Sequence, residues 1–392
     1  MSTGNEIRNS TTSHSRRNLF LRDTLIFLGL TLVSLVLYGL TLALFRSFES
    51  HRADLAIYWS DRAKDELAQG RPDEAAASLR NAISFAPDDR KYELLLAEAL
   101  AESGKTDQAM SYFMNLREVQ PGDGFINLEI ARLYRKKGLN AQAVDYYHAA
   151  IFGDWRGDGT ARRRSIRLEL ADYLASIHEM AAARTELLIA SANASNDPTV
   201  TTELGNKFAA LGDDGDALNA FKQALRVNPD QPAALEAAGR ISLQMGNYEA
   251  AHAFLGKAAQ EPMQNKERKE QVLSLAEEAE RMEQLSISPN LPNRERAEHL
   301  FSAESIAQKR FQSCYDHLED EIQATESIED LAPRWKAAEH TTLRRLQDDE
   351  GLQESTLSLV DDTEIITAKL CGAPTGDNAV LLKLASRRPT NQ

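Results

Sequence analysis

The 392-residue chain carries 59 Asp and Glu against 45 Lys and Arg, a formal net charge of −14, with eight His and two Cys. An acidic chain without a basic block is repelled by phosphate backbones, which argues against general nucleic-acid binding, and two cysteines cannot build a zinc ribbon. Few Gly and Pro beside abundant Ala, Leu and Glu point to helix, and the length corresponds to two or three folded units at roughly 100 to 200 residues each.

The charge splits unevenly along the chain. Residues 1–23 hold four Arg and two acids, residues 24–285 hold 29 bases and 38 acids, and residues 286–392 hold 12 and 19. No stretch forms an acidic tail, so the acidity reads as a solvated surface. Residues 1–23 are expected to be a disordered cytoplasmic tail, rich in Ser, Thr and Asn at its start.

Residues 24–45 contain no charge and nine leucines. As a helix they would span about 33 Å at ~1.5 Å per residue, which matches a bilayer core. At roughly −0.5 kcal/mol per leucine, insertion is favourable. A cleaved signal peptide would have a shorter apolar region ending in a small-x-small site, whereas this segment closes on Leu44, Phe45 and Arg46. An uncleaved anchor is therefore expected.

Arg8, Arg16, Arg17 and Arg22 precede the segment, while only Arg46 and Arg52 follow closely, beside Glu49 and Asp54. That asymmetry predicts a single-pass inner-membrane protein with a cytoplasmic N-terminus and its body exported to the periplasmic side. Ser15 to Leu21 resembles a twin-arginine export signal, but the residue order departs from that pattern. Ordinary positive-inside arginines account for it better.

Beyond the anchor the chain repeats. Small residues recur at Ala63, Ala97, Ala131, Ala171, Gly205 and Gly239, with intervals of 34, 34, 40, 34 and 34. The columns that start at Ala75 and Ala82 show the same intervals, so six extra residues lie between Ala150 and Ala171. Gly70, Gly104, Gly138, Gly212 and Gly246 stand between two helical halves, and Pro87, Pro121 and Pro229 close three repeats. Glycine permits the left-handed turn that ends a helix, and proline blocks continuation. Each repeat therefore reads as a helical hairpin. Its small residues let the two helices approach, and Leu79, Phe113, Tyr147, Leu187, Phe221 and Leu255 fill the neighbouring gap.

With Trp59, Ala63, Gly70, Ala75, Leu79, Ala82 and Pro87 at these spacings, the chain resembles the tetratricopeptide repeat (TPR) family of the membrane-anchored bacterial type. The fourth unit departs, with His178 at the glycine position. The resemblance implies six TPR repeats over residues 46–263, stacked as a superhelical solenoid because a lone hairpin cannot bury its apolar face. Residues 264–285 follow as a capping helix, with Val272, Leu275, Ala279, Met282 and Leu285 on one side. The expected fold is all-α, with an N-terminal transmembrane helix and a small C-terminal helical domain.

The resemblance also implies a groove, lined by first-helix residues, that binds a peptide or partner helix. Here those positions are Ser60, Lys64, Leu94, Glu98, Leu128, Arg132, Asp172, Asn206, Glu236 and Arg240. Glu98 and Asp172 spoil a basic clamp for a terminal carboxylate, so a mixed-charge groove is expected. The six-residue insertion brings Trp155, Arg162, Arg163 and Arg164 into one loop, either as an exposed contact site or with Trp155 covering the hairpin. Arg156 and Ser165 stand where an EF-hand needs oxygen ligands, so no metal is expected there.

After residue 286 the period is lost. Helices are expected near 294–318, with Ala297, Leu300, Phe301, Ala307, Phe311, Cys314 and Leu318 near one face, and again over 328–349 and 352–370. Residues 380–384 read as either strand or helix. Residues 286–392 form the C-terminal helical domain, where Cys314 and Cys371 are a candidate disulfide if the body is exported, and buried thiols if it is not.

No Cys-x-x-Cys, His-Glu-x-x-His, phosphate loop or nucleophile elbow occurs, so no catalytic residue, cofactor or metal is assigned. The expected partners are proteins or peptides, together with the lipid bilayer through residues 24–45. The expected role is a single-pass scaffold that recruits partners to a membrane or envelope complex. The alternatives are a TPR substrate receptor fused to an enzymatic C-terminal domain and a cytosol-facing import receptor.

Overall fold

The computed structural model describes residues 11–194, 196–262, 265–288, 291–321 and 326–388. Among them the regular structure is entirely helical, apart from one isolated backbone bridge between Asp123 and Asp154. The chain divides into two compact units, residues 1–166 and 167–392.

The first unit opens with α1 (Thr11–Ala68), a helix of 58 residues. Over the described residues the chain is already helical at Thr11, within the stretch read as a disordered tail, and α1 runs unbroken through the apolar segment into the first repeat. Once a strongly apolar helix is nucleated, each added residue costs little, and no Pro or Gly interrupts residues 46–68.

Five helices follow in this unit: α2 (Pro72–Phe85), α3 (Arg90–Glu102), α4 (Thr106–Val119), α5 (Gly124–Lys136) and α6 (Asn140–Ile151). Pro72 starts α2, where a missing N–H is harmless, while the Asp89 and Asp123 carboxylates accept from backbone N–H groups in the first turns of α3 and α5. Gly70, Gly104 and Gly138 turn each hairpin with φ between 69° and 77°. The spaced alanines do what their periodicity implies. Ala63, Ala75, Ala97 and Ala109 are wholly buried with Leu79 and Phe113 in one cluster. The next helix, α7 (Gly159–Ser176), carries the chain across the boundary between the units.

The second unit stacks α8 (Met180–Ala192), α9 (Pro198–Ala210), α10 (Asp214–Val227), α11 (Pro232–Gln244), α12 (Tyr248–Gln260) and α13 (Lys266–Leu285). His178 has φ 66°, the conformation that Gly212 and Gly246 adopt at the matching turns, so the irregular fourth repeat keeps its turn at the cost of strain in a side-chain-bearing residue. In the fifth and sixth repeats the small-residue column is glycine for a steric reason. A Cβ on Gly205 would lie 2.5 Å from the Phe221 ring, and one on Gly239 would lie 2.5 Å from Leu255.

The rest of the second unit is α14 (Asn293–Glu321), α15 (Glu326–Glu329), α16 (Leu331–Ala338), α17 (Leu343–Asp348), α18 (Glu350–Leu370) and α19 (Gly376–Arg387). The single helix expected over 328–349 is instead three short ones, interrupted at Asp330 and again at residues 339–342. Residues 380–384 belong to a helix. Phe301, expected on the apolar face of α14, is 40% exposed.

The C-terminal helices also share their core with what precedes them. Leu255 of the sixth repeat and Met282 of α13 belong to one cluster with Phe311, Trp335, Leu359 and Leu381. The apolar face of α13 that reads as a cap is therefore an internal seam. Trp335 stacks on Phe311 at 6.0 Å and donates Nε1–H to Thr363 Oγ1 at 3.1 Å. Cys314 of α14 is joined to Cys371, just beyond α18, with Cα atoms 5.8 Å apart.

One buried group in this core is uncompensated. Glu364 of α18 is fully buried, and neither carboxylate oxygen has a hydrogen-bond partner. Burial pushes its pKa up to about 7, against the pull of the Arg310 guanidinium. A raised carboxyl pKa means that the folded state holds the extra proton, so stability is complete below about 4.5 and declines as pH rises through about 7. Glu364→Gln is expected to stabilise the protein by roughly 2 kcal/mol at pH 8 and by little at pH 4.5. Urea unfolding at the two pH values checks this, and equal effects at both would contradict it.

Candidate functional site

The first helices of the repeats carry the candidate groove residues. In the first unit Ser60 and Lys64 lie on α1, Leu94 and Glu98 on α3, and Leu128 and Arg132 on α5. Two of them are closed to a partner: Ser60 is 4% exposed and Leu128 is 6% exposed. Their positions face the helix packing because the apolar stripe of each helix is broad enough to take them in. Lys64 is exposed and pairs with Asp61 at 2.8 Å, one turn away.

Of the remaining three, Glu98 and Arg132 belong to a charged cluster, while Leu94 lies one turn before Glu98 on α3. Arg132 Nη1 donates to Glu129 Oε1 at 2.7 Å, and Glu129 faces Glu98 of the neighbouring hairpin. Burial pushes the Glu98 pKa up to about 7, and the like charges of Glu129 and Glu102 add to the shift. A cationic side chain brought to this point would relieve the repulsion and draw Glu98 into its ionised form. Glu129 was missed by the sequence reading, although it lies one helical turn before Arg132.

In the second unit Asp172 pairs with Lys207 at 2.7 Å, and Asn206 is exposed beside it. Glu236, 7% exposed, lies between Arg240 at 3.1 Å and Arg268 of α13 at 2.8 Å. Arg240 also lines a shallow hollow of about 480 Å³ with Gln271 and Leu275 of α13. Arg268 could not be read as a site residue because it lies outside the 34-residue period.

The inserted loop is built more firmly than its glycines suggest. Asp154 N–H donates to the Gly122 carbonyl at 2.7 Å, and Gly124 N–H donates to the Asp154 carbonyl at 3.1 Å. The Trp155 ring lies against Gly124, where a Cβ would collide with the indole, and its Nε1–H donates to the Ala150 carbonyl at 2.8 Å. Arg163 donates to the carbonyls of Ile151 and Gly153 at 3.0 and 3.1 Å, so of the three consecutive arginines this one is spent inside the loop. Arg164 is half-buried. Asp158 Oδ1 accepts from Ala161 N–H at 3.0 Å and caps the first turn of α7. Trp155 thus covers the hairpin on one side and remains half-exposed on the other.

That exposed side bounds a pocket of about 410 Å³, closed on the opposite side by the N-terminal turns of α3 and α5. Leu94, Phe125 and Trp155 contribute apolar surface, and Arg90, Lys91, Arg156 and Arg162 stand around it with Asp123 and Asp154. Arg162 lies over the Trp155 ring at 5.5 Å, and Lys91 pairs with Asp89 at 2.8 Å. Arg90 and Lys91 were missed because they belong to the second repeat, far in sequence from the loop they meet.

A tetratricopeptide-repeat family profile matches residues 66–124 and 208–269. No curated protein sequence matches the chain. Among solved structures it resembles the C-terminal part of a TPR repeat-containing protein from Cytophaga hutchinsonii, with 16% identity, 67% of this chain and 90% of that one covered, and a TM-score of 0.42. It also resembles PilW, a type IV pilus biogenesis factor, with 20% identity, 56% and 98% covered, and a TM-score of 0.38. YrrB, a TPR protein with an unusual peptide-binding site, aligns with 19% identity, 52% and 98% covered, and a TM-score of 0.36. These are likenesses of fold alone. With its 34-residue period, its small-residue columns and its left-handed hairpin turns, the chain carries tetratricopeptide-type repeats, which the family profile matches over residues 66–124 and 208–269.

Proposed function

We propose that the protein is a single-pass, membrane-anchored scaffold that recruits partner proteins through its repeats, with the N-terminus cytoplasmic and the body exported. The observation that carries this reading is α1. Its residues 24–45 expose Leu, Ile, Val and Phe side chains that none of the described residues covers, with a mean hydropathy of 2.3 over the most apolar window, and the same helix becomes the first helix of the first repeat. A soluble protein would leave that surface in water at a large cost. An anchor continuous with the repeat array also confines the binding surface to the bilayer, which raises the effective concentration for weak contacts.

The charged face of α3 and α5 supplies one recruiting surface. Leu94, Glu98 and Arg132 remain accessible there, and their mixed charge suits a partner helix or extended segment of both signs. The reading assigns the chain no catalytic step.

The test is crosslinking and affinity capture from native membranes, with protease protection in sealed vesicles to set topology. Glu98→Lys combined with Arg132→Glu is expected to reduce capture at least about ten-fold while thermal melting is unchanged. Deletion of residues 24–45 is expected to release the protein from membranes. Protection of the body in right-side-out vesicles would reverse the topology, and undiminished capture by the double variant would remove this face from the binding surface.

A further inference from the structure

We propose that the pocket beneath the inserted loop is a second recruiting site, one that takes an acidic segment of a partner protein anchored by a single large apolar side chain. The proposal deepens the scaffold reading and rests on it only in taking the ligand to be a protein. It needs neither the anchor nor the charged residues Glu98 and Arg132, and shares only Leu94 with the face of α3 and α5.

Charge selects the ligand. Four cations and two carboxylates line the pocket in a chain whose net charge is −14. One carboxylate is partly spent at home, since Asp123 Oδ1 accepts from Ile126 N–H at 3.0 Å, which leaves the four cations in excess over the Asp154 carboxylate. Among the described residues, Arg90 and Arg156 make no ion pair or hydrogen bond, and Arg162 is held over the Trp155 ring with its guanidinium edge open. Guanidinium groups bind carboxylates through two parallel hydrogen bonds, so three arginines around one opening favour a run of carboxylates over a single charge. The positive ends of α3 and α5 reinforce the same preference, since Arg90, Lys91 and Phe125 lie in their first turns.

Shape selects the anchor. Leu94, Phe125 and Trp155 give an apolar floor, and the volume falls in the range of sites that bury a small ligand or one large side chain. The floor is preformed, because Trp155 is fixed by its bond to Ala150 and its contact with Gly124, and Arg163 pins the strand of loop before it. Binding therefore requires little ordering of the loop, which lowers the entropic cost. The six extra residues that disturb the period are what create the pocket.

The experiment uses the full chain in zwitterionic nanodiscs and a fluorescein-labelled peptide in which acidic residues flank one central phenylalanine. Fluorescence anisotropy should show saturable binding that weakens with salt. A peptide with the corresponding amides, and one with alanine in place of phenylalanine, should each bind at least about ten-fold more weakly. Arg90→Glu with Arg156→Glu should abolish binding and leave thermal melting unchanged, whereas Arg80→Glu, an exposed arginine away from the pocket, should have no effect. No binding of the acidic peptide, equal binding of the amide peptide, or full binding by the double variant would each overturn the proposal. So would the opposite preference, in which the arginines bind nanodiscs containing phosphatidylglycerol and ignore the peptide. If the peptide fails while capture from native membranes persists, this site is lost and the scaffold reading stands.

Discussion

Reducing the bond between Cys314 and Cys371 is expected to lower stability by about 4 kcal/mol, the chain-entropy value for a loop closed across a separation of 57 residues. The bond ties the outer part of α14 to the end of α18, and both helices lie in the core that also takes in α12 and α13. Releasing it frees the segment of α15, α16 and α17, which are short helices with little internal support. The melting temperature of the wild type should therefore fall on adding reductant and meet that of a Cys314→Ser, Cys371→Ser variant. The variant itself should not respond to reductant.

The same measurement bears on topology. A disulfide persists in an oxidising compartment, in keeping with the exported body proposed above. Alkylation of both thiols in native membranes without prior reduction would contradict the bond and remove that support for export.

Gly205→Leu is expected to destabilise the fifth repeat by about 3 kcal/mol or more, because the new side chain must occupy the space of the Phe221 ring. The gain in helix propensity returns at most about 1 kcal/mol. Gly256→Ala is the matched control. Gly256 is also helical, but a Cβ there would meet only the His252 ring, at an ordinary 3.8 Å, so the propensity gain should appear as a small rise in stability. Urea unfolding monitored by circular dichroism measures both. A Gly205→Leu variant with wild-type stability would show that α9 and α10 can separate without loss.

The sequence was most legible where one residue type must recur at one spacing. The columns of small residues predicted the close approach of paired helices, and Gly205 beside Phe221 and Gly239 beside Leu255 realise it. The turn glycines predicted left-handed backbone, and even His178 conforms with φ 66°. Such features are local and steric, so they can be read without knowing what lies across the fold.

The groove was less legible. First-helix positions can be counted, but exposure depends on how far the neighbouring hairpin reaches, which is why Ser60 and Leu128 proved buried while Glu129 joined Glu98 and Arg132. At the other end of the chain, an amphipathic α13 looks the same whether its apolar face caps a solenoid or receives further helices. Only the packing of Met282 against the C-terminal helices decided for the second.

The sequence by itself determined the helical hairpins, their turns, the apolar helix of membrane-spanning length and the place of the insertion, because each follows from contacts within about one repeat of the chain. The tertiary structure alone decided that α1 continues without a break into the repeats, that Glu364 is buried without a hydrogen-bond partner, and that the inserted loop closes a pocket with Arg90 and Lys91. Those outcomes depend on which surfaces meet across tens of residues, and the free energy of such a meeting is a property of the assembled packing that no local spacing encodes.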